Sequence, residues 1–330
     1  MHLARIRGLS GRALPVPTAT TMAINLGFVL VTHTAPEQVL RLVRRLSELY
    51  SFPPIACHHD FSQCDLPTHE LPTNVSFVRP SLSTRWGSFA IVEGTLRAIR
   101  QLFQRTDAPD WFVLLSGADY PIKPAVAVYR DLGDPRFDAH VWARVIDSSA
   151  RGKTWQEVHF LRYLTPRASL PCYSLKRGFN WRSVRLPRWI PFSAHPFHNG
   201  FRCFGGSQWF SANRDAAACI LRESERCPAF NRFCRKIPIP DEMYFQTLLM
   251  NSKGMRINDR NYRYTDWSVS AMHPKTLDMD DLPALLQSPC HFARKFSIER
   301  SEVMDAIDRE IDQRPSELAA RSVACKAHSE

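Results

Sequence analysis

No stretch of about 18 apolar residues occurs in this 330-residue chain, so no transmembrane helix is expected. The longest apolar run, residues 24–31, is short and contains Asn25 and Gly27. Paired cysteine spacings are missing too. Nine cysteines include no CxxC, and Cys57/Cys64 and Cys227/Cys234 are each seven apart. That argues against a disulfide framework or zinc site, and reads as reduced thiols in a cytosolic protein. Residues 1–21 hold Arg5, Arg7 and Arg12 and no acidic side chain, but lack the apolar core of a secretory signal. A disordered extension is expected there, with a transit peptide as the alternative. GxxxxGK[ST], HExxH and GxSxG are absent, and no GxGxxG follows the first strand. An ordinary kinase or ATPase, a zincin, the simplest hydrolase and a dinucleotide enzyme lose their support. Hydrophobic residues at 44% and charged residues at 23% describe an ordinary globular chain. Its net charge of +11 implies an anionic partner: nucleic acid, acidic lipid or a phosphate-bearing ligand.

Strands and helices alternate through the first half. The periodicity predicts a strand over 27–32, a helix over 36–49, strands over 55–58 and 75–78, a helix over 89–103 and a continuous apolar strand over 111–115. This pattern predicts a doubly wound α/β domain, where ligands bind beyond the carboxyl ends of the strands. Asp60 and Asp119 each follow such a strand. From about residue 150 the character changes. Between Arg151 and Arg202 the chain carries Arg151, Lys153, Arg162, Arg167, Lys176, Arg177, Arg182, Arg185, Arg188 and Arg202 against Glu157 alone, with Trp155, Trp181 and Trp189 interleaved. A loop-rich surface segment is expected. Helices follow over 215–224 and from Pro240 to Asn251, and a charged helix over 301–314 precedes a polar tail.

Several short motifs carry chemical options. Asp119 is either a turn aspartate or a carboxylate at the strand-end crevice. Glu242, at a helix start, either complements the helix dipole or acts as a general base. Arg294 and Lys295, between Phe292 and Phe296, either snorkel from an edge strand or clamp a diphosphate without a metal. Asp278-Met279-Asp280 matches a DxD metal signature in letters, but its polar surroundings read as a solvated loop or helix start.

Six motifs taken in order carry a resemblance: Trp86-Gly87-Ser88 before a helix with Leu96-Arg97; Leu115-Ser116-Gly117-Ala118-Asp119-Tyr120-Pro121-Ile122; Gly206-Ser207-Gln208-Trp209-Phe210; Pro240-Asp241-Glu242-Met243-Tyr244-Phe245-Gln246-Thr247; Tyr264-Thr265-Asp266-Trp267; and Phe292-Ala293-Arg294-Lys295-Phe296. Over roughly 24–297 the chain resembles glycosyltransferase family fourteen, the core-2/I-branching β-1,6-N-acetylglucosaminyltransferases and peptide O-xylosyltransferases. Two of the motifs look closer to the xylosyltransferase branch. The resemblance implies a GT-A-like α/β fold with a Rossmann-type, mostly parallel central sheet flanked by helices. It implies a UDP-sugar donor substrate, inversion, and neither cofactor nor metal. Glu242 would be the catalytic base. Asp60, Asp119, Arg294, Lys295 and Lys275 would face the donor, with Lys295 the primary diphosphate contact. Trp267, Trp209 and Gln208 would line the acceptor side. Gln208 stands where the animal xylosyltransferases have an aspartate near the sugar, which leaves xylose and N-acetylglucosamine both open as donor sugars.

The expected organisation is an extension over 1–21, one glycosyltransferase domain over 22–300 and a helix with tail over 301–330. Within the domain, 22–150 would hold the nucleotide-sugar and 151–300 the acceptor, a glycan or glycan precursor. Lacking the anchor of the Golgi enzymes it resembles, the chain reads as a bacterial cytoplasmic enzyme of surface-glycan synthesis, peripheral to the membrane. The competing reading is a non-enzymatic nucleic-acid-binding protein whose basic, tryptophan-bearing segment stacks bases.

Overall fold

A computed structural model describes residues 24–147, 154–164, 167–174, 178–185, 196–269 and 273–326. The 1–21 extension lies outside them, as do Arg151, Lys153, Lys176, Arg177, Arg188 and Trp189 of the basic segment. The first half runs β1 (Leu26–Thr32), α1 (Pro36–Leu49), β2 (Ile55–His59), β3 (Val75–Phe77), α2 (Phe89–Phe103), β4 (Trp111–Ser116), β5 (Asp119–Pro121), α3 (Ala125–Leu132), β6 (Ala139–His140) and β7 (Ala143–Val145). The second continues α4 (Thr154–Tyr163), β8 (Arg167–Ser174), β9 (Gly178–Arg185), β10 (Phe204–Gly206), β11 (Ser211–Asn213), α5 (Arg214–Arg226) and α6 (Pro228–Cys234). It ends α7 (Tyr244–Asn251), β12 (Ile257–Asn258), β13 (Arg263–Thr265), α8 (Leu282–Gln287), β14 (Phe292–Arg294) and α9 (Ser301–Lys326).

Seven strands form the main sheet in the order β12-β6-β11-β4-β1-β2-β3. β4, β1, β2 and β3 pair in parallel, while β11 runs antiparallel to β4 and β6. Residues alternate across this sheet with period two. Val29, Ala56, Phe112 and Leu114 enter one core with Val92, Ile99, Ile220 and Phe245 of α2, α5 and α7. Phe28, Leu30, Ile55, Val113 and Leu115 enter the other with Leu42, Leu46, Met304 and Ile307 of α1 and α9. Both faces are covered, which is why these strands read as unbroken apolar runs. The architecture is the α/β, mostly parallel, helix-flanked one expected from the sequence.

The basic segment corrects the expectation of a loop-rich stretch. It holds α4 and an antiparallel hairpin of β8 and β9. The helix expected from Pro240 is split. A 3₁₀ turn, Pro240–Glu242, precedes α7, and Met243 between them is not helical. The carboxy-terminal helix runs beyond the expected 301–314 and docks on α1, where Arg41 binds Asp305 and Asp308 at 2.6 and 3.0 Å.

Candidate active site

The turn carrying Glu242 is held from three sides. Gly87, with a left-handed φ of 69°, offers its carbonyl to the Ile239 N–H at 2.8 Å. The Tyr163 hydroxyl donates to the Ile239 carbonyl at 2.8 Å. α4 then reaches Glu242 itself. Arg162 Nη1 donates to Oε2 at 2.8 Å, and His159 Nε2 lies 3.2 Å from the same oxygen. Burial opposes the charge on Arg162, yet Tyr163 and Glu242 together hold it above the usual arginine range. Among the described residues nothing binds Oε1, and the Glu242 side chain keeps 36% of its exposure. One carboxylate oxygen is therefore fixed while the other is free for a ligand.

Asp241 lies beneath the turn, 6% exposed, with Oδ1 unpartnered. Burial first, and the neighbouring Glu242 second, push its carboxyl up to about 7.

A three-stranded sheet, β13-β14-β5, supplies the cations. Asp119 of β5 faces Arg294 of β14 in register. Arg263 of β13 donates to Asp119 Oδ1 at 3.0 Å, and neither side chain is more than 1% exposed. The other Asp119 oxygen accepts from the Ser116 backbone N–H at 2.6 Å and from the Ser116 hydroxyl. Asp119 thus ties the turn after β4 and pairs with a buried cation at the strand end.

Arg294 occupies a central strand, not the edge that a snorkelling pair would need. Its guanidinium stacks on Trp209 at 4.3 Å and its Nε is buried without a partner. Burial lowers its pKa against the pull of Asp119, Glu242 and Asp241. The Lys295 ammonium is also held below its usual range, by burial and then by Arg294. Neither cation forms an ion pair with a described residue. Lys275 differs, because both oxygens of Asp281 bind its Nζ at 2.9 Å and Asp278 lies 3.5 Å away.

Asp60 shares no hydrogen bond or ion pair with this cluster among the described residues. Its carboxylate accepts from Ser62, Gln63 and the backbone and hydroxyl of Thr84 at 2.6–3.0 Å. Burial opposes its ionisation, but these hydrogen bonds outweigh it and hold Asp60 well below the usual carboxylate range. It fastens the loop beyond β2. Trp267 stands 53% exposed after β13, and Gln208 lies part-buried beside Trp209. Asp278 and Asp281 form a capping box at a helix start, so the DxD letters serve a cap. Among the described residues no group of three or more His, Cys, Asp or Glu is placed to hold a metal.

Sequence reasoning missed Asp241, Arg263 and His159, and counted Arg162 only as charge. His159 and Arg162 are three apart on a helix, so they share a face. That spacing was visible, but nothing in it named the carboxylate they meet.

A family model described as Core-2/I-Branching enzyme matches residues 27–287. Xylosyltransferase 1 of Homo sapiens is 23% identical over 317 residues, 86% of this chain and 30% of the relative. Xylosyltransferase 1 of Rattus norvegicus is 25% identical over 319 residues, 86% of this chain and 35% of the relative. Beta-glucuronosyltransferase GlcAT14A of Arabidopsis thaliana is 25% identical over 247 residues, covering 72% of this chain and 51% of the relative. The chain thus spans about a third of the xylosyltransferases it matches. With most of its length matched by the family model, the chain belongs to the core-2/I-branching enzyme family of glycosyltransferases.

Proposed function

We propose that the protein is an inverting, metal-independent glycosyltransferase that moves a sugar from a UDP-sugar to a hydroxyl of a glycan or glycan-precursor acceptor. The observation that carries this is a part-exposed carboxylate, Glu242, near Arg294, which with the adjacent Lys295 has no ion-pair partner among the described residues. The acceptor oxygen attacks the anomeric carbon from the face opposite UDP. The bond from that carbon to the β-phosphate oxygen breaks, and its electron pair leaves with the diphosphate. The hydroxyl proton passes to the unbound Oε1 of Glu242, as general-base catalysis requires. Arg294 and Lys295 meet the growing negative charge without reorganising, since the Trp209 ring and burial fix Arg294 beforehand. Asp119, locked to Arg263, braces the strand that presents Arg294 to the donor.

The donor sugar is xylose or N-acetylglucosamine on the motif resemblance, and the plant relatives' name adds glucuronic acid. The nucleic-acid reading loses ground, because described cations of the basic segment are engaged: Arg162 with Glu242 and Arg202 with Asp147. Measuring UDP release from UDP-xylose, UDP-N-acetylglucosamine and UDP-glucuronic acid tests the proposal. Turnover of one donor well above the others is the expected result. Binding of an oligonucleotide with no UDP affinity and no donor turnover would replace this reading with the nucleic-acid one.

A further inference from the structure

His159 has two ring nitrogens in different company. Nδ1 lies 2.9 Å from the Trp155 carbonyl, one turn back on α4. A carbonyl can only accept, so Nδ1 carries a proton. The ring is 3% exposed, stacked on Trp155 at 3.7 Å and edge-on to Tyr163 at 5.6 Å. It cannot turn over without breaking that stack. Nε2 is thereby aimed at Glu242 Oε2. Arg162 Nη1, 3.5 Å from Nε2 and 2.8 Å from Oε2, closes the triangle. The ionisable groups around the imidazole are Arg162 and Tyr163 on its own helix, and Glu242 and Asp241 on the facing turn.

We infer that His159 is a positioning residue for Glu242, an inference that rests on the glycosyltransferase reading above. It reaches the chemistry only through Oε2. Two hydrogen-bonding groups on that oxygen fix the carboxylate plane and leave Oε1 as the proton acceptor. With Nδ1 committed to the Trp155 carbonyl, Nε2 is the ring nitrogen that meets Oε2, beside Arg162 Nη1. This is the arrangement by which a fixed carbonyl selects a histidine tautomer and the free nitrogen addresses a reacting group.

Paired substitutions separate this role from packing. His159→Gln places an amide N–H near the Nε2 position and can still donate to Glu242. His159→Asn places one near Nδ1, keeps the Trp155 contact and cannot reach Glu242. The expected result is a kcat for His159→Asn about 10- to 100-fold below wild type, the loss of one charge-assisted hydrogen bond, with UDP affinity unchanged. His159→Gln should recover about tenfold of that. Equal activity of the two variants, or a loss confined to UDP affinity, overturns the inference.

A second measurement needs no turnover. In ¹⁵N-histidine spectra, the ring signals assigned by their disappearance in His159→Asn should show a protonated Nδ1. Their Nε2 shift should move in Glu242→Gln. A bare Nδ1, or an Nε2 signal indifferent to Glu242→Gln in folded protein, also overturns it. If wild-type protein turns over no donor, the glycosyltransferase proposal fails by itself, while the spectra still decide whether His159 addresses Glu242.

Discussion

Asp241 and Glu242 are neighbours in sequence with opposite surroundings. Asp241 is enclosed, and its carboxyl keeps its proton up to about 7, whereas an unfolded chain releases it near 3.8. Stability is therefore lost as pH rises from about 4 to 7, by about 4 kcal/mol at most. His140 works in the opposite sense. Both its ring nitrogens are buried without partners, and burial lowers its pKa from 6.5 to about 4. The unfolded chain gains a proton below pH 6.5 that the native state refuses, so stability falls as pH drops from about 6.5 to 4. Over much of one window the two effects offset each other. Asp241→Asn should melt higher than wild type at pH 8, with the gain vanishing near pH 4; a pH-independent difference would show that the carboxyl is not protonated there. His140→Phe should selectively improve stability below pH 5. Glu242→Gln keeps size and removes the base, so transfer should fall by about 10²- to 10⁴-fold with UDP binding intact. A variant with more than about a tenth of wild-type turnover would remove Glu242 from that role. Lys295→Ala should weaken UDP binding by roughly 10- to 100-fold, with Arg294→Ala smaller in effect, both read by isothermal titration. Unchanged affinity in the double variant would send the diphosphate elsewhere. Lys275 is the next basic residue to test, although Asp281 already binds it.

At the scale of elements, the site is made by short pieces locked to one another. β10 pairs with β7 so closely that a Cβ on Gly206 would overlap the Trp142 carbonyl oxygen. Ser207, Gln208 and Trp209 follow at once, and Trp209 underlies Arg294. Gly206→Ala must push the two backbones apart, at a cost of about 1–3 kcal/mol, and tilt the Trp209 platform. Both the melting temperature and the UDP affinity should drop; an unchanged melting temperature would mean that the close approach is not present in solution. The same dependence explains which elements were readable. The helices over 36–49 and 89–103 were placed residue for residue, because each sets a full apolar stripe against the sheet. α4 was missed, since its sequence mixes Trp, Gln, Glu and His without a clean stripe. The apparently continuous helix breaks at Met243, which leaves helical geometry between the Pro240–Glu242 turn and α7, while Tyr163 and Gly87 fix the chain just before the turn at Ile239.

For the whole molecule, the proposed metal independence is a prediction about where the charges lie. Arg294 and Lys295 supply the positive charge that a divalent cation would bring, so transfer should survive EDTA. Full loss on chelation, restored by Mn²⁺ or Mg²⁺, would overturn this and return Asp278 and Asp280 to consideration. The sequence by itself determined the α/β class, the buried central strands and the motif order, because periodicity and turn residues are local properties of the chain. It also offered Glu242, Asp119, Arg294 and Lys295 as candidates, through short motifs that carry the family resemblance. Only the tertiary structure decided what each of these meets. Asp119 and Arg263 are 144 residues apart and pair with no trace in spacing. His159 and Glu242 are 83 apart and meet because α4 packs on the turn that Tyr163 anchors. Asp60, one of five residues expected at the donor, gives its oxygens to Ser62, Gln63 and Thr84. The contacts of Asp60 with Ser62 and Gln63 are local ones of a turn, but the pairings with Thr84, Arg263 and His159 depend on which surfaces the fold brings together, and no local pattern encodes those.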